Sequence, residues 1–364
     1  GKFIQPGYVD LHFHFHPLRN PYLPLLFLAN GATTLREMGG WIDVNKKWLA
    51  DTRAQGLPTP RLLYSGPILD GTNPAFPDNV VVLLDEIDAR RITNSWIDQG
   101  ATSLKIYFRL PLSLSKVVIE EADKRNIPVH AHLEIVDPRD AIRLGLDGFE
   151  HVTSLGQALL SPREAEAYRQ EVLLDNNARE PGRYRIWAKI NPNGEKADAL
   201  IRLMLEYRVS LDATIAVFEP LRGQPGKEKE WKAIRNMGAF TVRYHKAGGL
   251  VSIGSHGRVV NAKAGYALQR ELEAHVEAGM SPSDVLQAAT RGGAEALRLN
   301  DRGILAPGYL ADITILNSDP LVDIANVTHV YAVILGGKVI DRVSLLQKQH
   351  PPERTGEILP FPVR

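Results

Sequence analysis

The stretch Gly7-Tyr8-Val9-Asp10-Leu11-His12-Phe13-His14-Phe15-His16-Pro17 decides how the chain is read. Asp10, His12, His14 and His16 fall at every second position behind an apolar lead. Alternate residues of a strand share a face, so the pattern predicts polar side chains converging at one strand end. Two imidazoles at i and i+2 can ligate one divalent ion. For a single such pair, a polar strand end with solvated histidines is the plainer alternative.

Outward from that stretch, short β-rich runs alternate with helical patterns. Candidate strands cover 3–9, 33–36, 61–65, 103–108, 128–132, 148–151, 210–215 and 250–254, and amphipathic helical stretches include 115–125, 138–144 and 263–278. Strands alternating with helices predict parallel βα units, and eight in succession predict a closed (β/α)8 TIM barrel of the α/β class. No Gly-rich turn follows the first strand, which argues against a dinucleotide-binding sheet. Residues 1–302 are therefore read as the barrel. Residues 155–207 exceed one connecting helix and read as an inserted lid, with breakers at 180–182 and 191–194. Residues 303–345 alternate as a small β appendage, and 346–364 form a Pro-rich extended tail.

The net charge of +1 leaves no surplus of Lys and Arg for nucleic acid or an acidic membrane. A small-molecule substrate is the expected partner. The absence of cysteine removes thiolate ligands, Cys nucleophiles and disulfides, so any metal must rest on His, carboxylate or a modified Lys. No apolar run is long enough to span a bilayer. The expected setting is soluble and cytoplasmic by default. Secretion or a periplasmic location stays open, because the abrupt start at Gly1 suggests a removed upstream segment.

Other strand ends add ligand-type residues. His130, His132 and Glu134 share one face of the fifth strand, His151 ends the sixth, and Lys105 ends the fourth. A buried Lys among histidines is costly as an unpaired cation. It becomes sensible as a carbamate, an anionic oxygen donor able to bridge two ions.

Taken together, the chain resembles the amidohydrolase superfamily, most of all its imidazolonepropionase- and prolidase-like branch. The resemblance rests on the Pro6–His14 opening, GATTLREMG at 31–39, Lys105, the VHAH and GFEH strand ends, and the stretch from Asp284 to Leu316. It implies that His12 and His14 bind a buried metal, that carboxylated Lys105 bridges two, and that His132 and His151 bind the more exposed one. The implied cofactor is one or two divalent ions, most simply Zn²⁺, and the implied reaction is hydrolysis of a C–N bond in an amide, dipeptide, N-acyl or cyclic amide. His130, deeper in its strand than the family's ligand position, becomes a supporting or substrate-side imidazole.

Two departures stand out. The family's eighth strand ends in Gly-Thr-Asp, whereas this chain reads Gly254-Ser255-His256-Gly257. His256 can ligate a metal or act as the base, and Glu134 is the fallback base. Glu150 precedes His151 and so should point away from the mouth. Loss of the acid also keeps open a metal-dependent isomerase or decarboxylase, or a barrel that binds without turnover. Second, the family's β-sandwich draws on both termini, and here only its C-terminal part is expected, incomplete, with a homo-oligomer or a missing upstream domain supplying the rest. Tyr107, Arg109 and Arg258 are candidate substrate contacts. Arg36 and Glu37 are read as a rim ion pair.

Overall fold

Gly7 is where the chain changes sheet. The computed structural model describes residues 1–348; the expected tail beyond that lies outside the described residues. Two strands, β1 (Phe3–Pro6) and β2 (Tyr8–Phe13), flank this glycine. A side chain on Gly7 would overlap Thr33, its Cβ 2.2 Å from Oγ1, so only glycine lets the two strands pass that close. The single first strand expected over 3–9 is thereby corrected.

The remaining strands are β3 (Ala32–Glu37), β4 (Arg61–Tyr64), β5 (Ile68–Asp70), β6 (Val80–Val82), β7 (Leu104–Ile106), β8 (Val129–Ala131), β9 (Gly148–Glu150), β10 (Ser210–Asp212), β11 (Val251–Ser252), β12 (Ile313–Leu316), β13 (Val330–Leu335) and β14 (Lys338–Val339). One parallel sheet runs β2-β3-β4 and another runs β11-β10-β9-β8-β7-β5-β6. The third barrel position is split between β4 and β5, interrupted at Ser65-Gly66-Pro67, a break the sequence reading did not place. The ring closes between its first and last strands, where Leu11 N donates to Ile253 O (2.9 Å) and His256 N to His12 O (2.6 Å). With that closure the eight positions form a (β/α)8 barrel. Strands β2 and β3 are buried along their whole length, as parallel strands covered by helices must be.

Helices fill the connections, among them Ile42–Ala54, Glu86–Asp98, Leu112–Asp123, Pro138–Arg143, Glu228–Lys246 and Ala267–Ala278. The long connection after β9 folds as four, Gly156–Leu159, Pro162–Leu174, Arg179–Trp187 and Glu195–Glu206. Glu180-Pro181-Gly182 does not break this region. It lies in the first turn of Arg179–Trp187, where a proline costs no hydrogen bond, and Gly182 lets Tyr168 pack against the helix backbone. The inserted helices are anchored by Trp187, which is fully buried, and by Asn236, which donates to Trp187 O and Ile190 O.

The appendage is one antiparallel sheet ordered β1-β12-β13-β14. The chain's own N-terminal strand thus joins the C-terminal ones, which corrects the expectation that only the C-terminal part is present. Arg61 ties the barrel to this sheet through both carboxylate oxygens of Asp312 (2.6 and 3.0 Å). Among the described residues, no helix is long and apolar enough to cross a membrane.

Candidate metal centre

The C-terminal ends of the barrel strands bring five histidines and one lysine together. From the β2 end, His12 and His14 approach with their Nε2 atoms 3.0 Å apart. His256 joins them from the turn after β11, and one ligand nitrogen from each of the three lies within 4.8 Å of the others. Lys105 Nζ of β7 is 3.4 Å from His12 Nε2. His151 stands 4.5 Å from His12 and 4.5 Å from His132, between ring centroids. His132 and His151 are buried, while His14 and His256 are half-buried.

These imidazoles are neutral. Burial, reinforced by the Lys105 charge, brings His12 down to about 3, and burial brings His132 to about 3 and holds His14, His151 and His256 well below the usual histidine range. Burial also lowers the Lys105 amine to about 8, although Glu150 opposes it. A neutral imidazole has one lone pair to give, so its neighbours decide which nitrogen faces the centre.

Those neighbours decide it in two cases. Glu150 Oε2 is 2.6 Å from His12 Nδ1; burial raises this carboxyl, but the Arg36 guanidinium together with His12 and His130 outweighs it and keeps it ionised. An ionised carboxylate only accepts, so His12 Nδ1 donates and Nε2 keeps its lone pair toward His14. Thr214 Oγ1 donates to Ala213 O (2.9 Å) and therefore accepts from His151 Nδ1, which leaves His151 Nε2 free to ligate. His132 Nε2 lies between an acceptor, Glu134 Oε1 (3.0 Å), and a donor, Arg183 Nη2 (3.1 Å), so these contacts do not fix its tautomer. Neutral, convergent imidazole donors fit a divalent cation.

The local backbone is built for this convergence. His151, Thr214 and His256 all adopt left-handed φ values, 65°, 45° and 62°. Such conformations are uncommon outside glycine and cluster at functional sites. The His256 turn is held from below, where Asp10 accepts from Ser255 N (2.9 Å) and Ser255 Oγ (2.5 Å). Asp10 therefore braces the turn rather than facing the centre with His12. Gly257, at φ 80°, leaves room for His14 O, 2.6 Å from where a Cβ would sit. Glu271 accepts from Ile215 N and Ala216 N (both 2.7 Å) and so fixes the turn that carries Thr214.

Several expected roles change on this geometry. Glu150 points inward as the last residue of β9, and the positive φ at His151 just after the strand lets His151 face the centre as well. Arg36 and Glu37 are no rim pair: Arg36 is fully buried and donates to Leu11 O (2.6 Å) and to Glu150, while Glu37 accepts from Gly40 N (2.7 Å) and Asn45 Nδ2 (3.0 Å). His130, 1% exposed, sits beneath the centre, 2.8 Å from Glu150 Oε1 and 3.0 Å from Arg36 Nη1, away from any substrate side. Glu134 is already engaged by Tyr168 and by Arg183 Nε (2.6 Å). Burial raises it, but Arg183 and His132 hold it below the usual carboxylate range, at about 2. Arg109 is turned to the insertion, donating to Asn176 Oδ1 (2.6 Å) and the carbonyls of Val172 and Leu173 (2.8 and 3.1 Å). Arg258 is exposed. Tyr107 does line the centre, its ring 4.8 Å from His132.

The sequence reading missed Asp212 and the Tyr168–Arg183 pair. Asp212 is 1% exposed at the end of β10, its Oδ2 3.6 Å from His12 Nδ1, and burial raises it well above the carboxylate range. Its place after an apolar strand was a usable signal. Arg183 and Tyr168 lie on helices whose facing could not be set without the fold.

The amidohydrolase family profile matches residues 26–340. No curated protein matches the sequence. Among solved structures, a putative prolidase from Bifidobacterium longum is similar at 24% identity, covering 95% of this chain and 85% of its own, with a TM-score of 0.67. Ochratoxinase from A. niger is similar at 22%, covering 92% and 82%, with 0.67. Phenylurea hydrolase B is similar at 18%, covering 98% and 88%, with 0.68. At these identities the structures establish the shared fold, and the profile, which spans most of the sequence, establishes that this chain belongs to the amidohydrolase family.

Proposed function

We propose that the chain is a metal-dependent hydrolase acting on a C–N bond of a small molecule. The observation that carries this reading is the set of neutral imidazoles His12, His14 and His256, converging within 4.8 Å at the barrel mouth beside the Lys105 amine. His12, His14 and His256 would hold one cation, with Lys105 joining as a carbamate once carboxylated. His132 and His151 would be the donors for a second. A divalent ion there, most simply Zn²⁺, supplies Lewis acidity that acidifies water and polarises a scissile carbonyl.

The chain's residues do the rest. His256 takes the place of the acid that the family resemblance leads one to expect, as third donor or as proton acceptor. Glu150, Thr214 and Glu134 orient three imidazoles, and Arg36 keeps Glu150 ionised beneath them. The inserted helices reach the centre through Arg183 and Tyr168, which suits a cover that limits water.

Elemental analysis of protein prepared with Zn²⁺ and bicarbonate tests the reading, in the wild type and in His256→Ala. The expected result is at least one ion per chain, with a loss in the variant, and turnover of some member of an N-acyl amino acid and dipeptide panel. Wild-type protein that binds no metal would sink it.

A further inference from the structure

The helix Arg179–Trp187 carries two guanidinium groups one turn apart, Arg183 against His132 and both within electrostatic reach of Tyr107, and their donors are not all spent. Arg179 is 4% exposed, yet it has no ion pair among the described residues, and its Nε has no hydrogen-bond partner. Its one side-chain hydrogen bond among the described residues goes from Nη1 to Asn176 O (2.7 Å), and its charge lies over the rings of Phe76 (5.2 Å) and Phe108 (5.5 Å). The rings offset part of the burial cost but accept nothing from Nε in its plane. A buried guanidinium without a carboxylate is costly, by several kcal/mol on the usual scale.

Arg183 adds to the imbalance. Its Nε donates to Glu134 Oε1, and the same oxygen lies 3.0 Å from His132 Nε2. Arg183 Nη2 has no carboxylate partner among the described residues and lies 3.1 Å from that ring nitrogen. Tyr107, 4% exposed, packs against His132 within electrostatic reach of both arginines, with no hydrogen bond to its hydroxyl among the described residues. Glu134 bonds Arg183 and not Arg179, and Asp70, the other buried carboxyl within reach of Tyr107, is pushed up to about 7 by burial.

We propose that Arg179, Arg183 and the Tyr107 hydroxyl form a subsite for a carboxylate of the substrate. The subsite rests on the hydrolase reading above and narrows its substrate class to N-acyl amino acids and peptides with a free carboxylate beside the scissile bond. A planar carboxylate matches the guanidinium fork and can take the phenol hydrogen as well. The aromatic walls of Phe76, Phe108 and Phe218 favour an apolar side chain on the same fragment.

The test compares N-acetyl-L-leucine and N-acetyl-L-phenylalanine with their primary amides, by calorimetric binding to Zn²⁺-loaded and to chelator-treated protein. Each acid is expected to bind about 10- to 100-fold more tightly than its amide in both forms. Arg179→Met and Arg183→Met are expected to erase the preference, and Arg179→Lys to keep part of it. Equal binding of acid and amide in the wild type, or no binding of either, overturns the subsite without needing any variant. A preference that vanishes with the metal, or that persists in both folded Met variants, overturns it as well. Acid preference in a protein that takes up no Zn²⁺ leaves the subsite standing and sinks the hydrolase reading instead.

Discussion

The two sides of the centre are built from opposite materials. The inner side, His12, His14, His256 and Lys105, comes from barrel strands and the turns that end them, and its imidazoles are neutral by burial. Its one strong charge pair, Arg36 with Glu150, lies underneath and is internally balanced. The outer side, Glu134, Tyr168, Arg179 and Arg183, draws three of its four residues from the insertion and carries a net positive charge. The barrel supplies donors that any divalent ion can use, and the insertion supplies fixed charge that can discriminate between ligands. Coordination chemistry and selectivity are thus carried by different parts of the chain.

The sharpest way to break that contrast is to remove a cation from each side. Arg36→Met leaves Glu150, fully buried, without its guanidinium, and should cost about 3–5 kcal/mol of stability in urea unfolding. An unchanged midpoint would mean the inner pair is not the brace described here. Metal removal should act next most strongly: free Zn²⁺ at about 100 times its dissociation constant contributes about 2.7 kcal/mol. Chelation should lower the melting temperature accordingly, and a melting curve indifferent to chelator would count against the inner cluster as a ligand set. Glu150→Gln should weaken Zn²⁺ binding about 10- to 100-fold in competition with a chelating dye, by loosening the His12 tautomer. On the outer side, Arg179→Met should leave stability unchanged or raise it by up to about 1 kcal/mol, since it removes a buried charge with no ion pair. A loss like that of Arg36→Met would erase the difference between the two sides. The smallest effect belongs to the surface: Lys47→Ala breaks an exposed pair with Asp51 and should change stability by less than about 0.5 kcal/mol.

The sequence made the inner side legible for a simple reason. Period-two spacing places His12 with His14, and a strand end needs no further information to gather them. His132 followed from the same spacing, whereas Lys105 and His151 were read as strand ends and owed their ligand roles to the family resemblance. The alternation failed at Glu150 and His151, because a positive-φ residue cannot be seen in a one-dimensional pattern and lets two consecutive side chains face the centre. It failed again at Gly7, where a close approach to Thr33 divides one apparent strand between two sheets. Arg179 and Arg183 stayed hidden because a mostly polar helix shows no preferred face. Glu134 drew attention as a base, and its actual bonds come from residues about 34 and 49 positions away.

The turn at His256 bears on how such a centre can change over generations. Its left-handed backbone admits glycine freely and, among other residues, favours asparagine, aspartate and histidine. A single base change separates the histidine and aspartate codons. Exchange at this position therefore crosses neither a backbone barrier nor an inaccessible intermediate codon. A lineage could alternate between the two donors while the surrounding turn, pinned by Asp10 and Ser255, stays as it is.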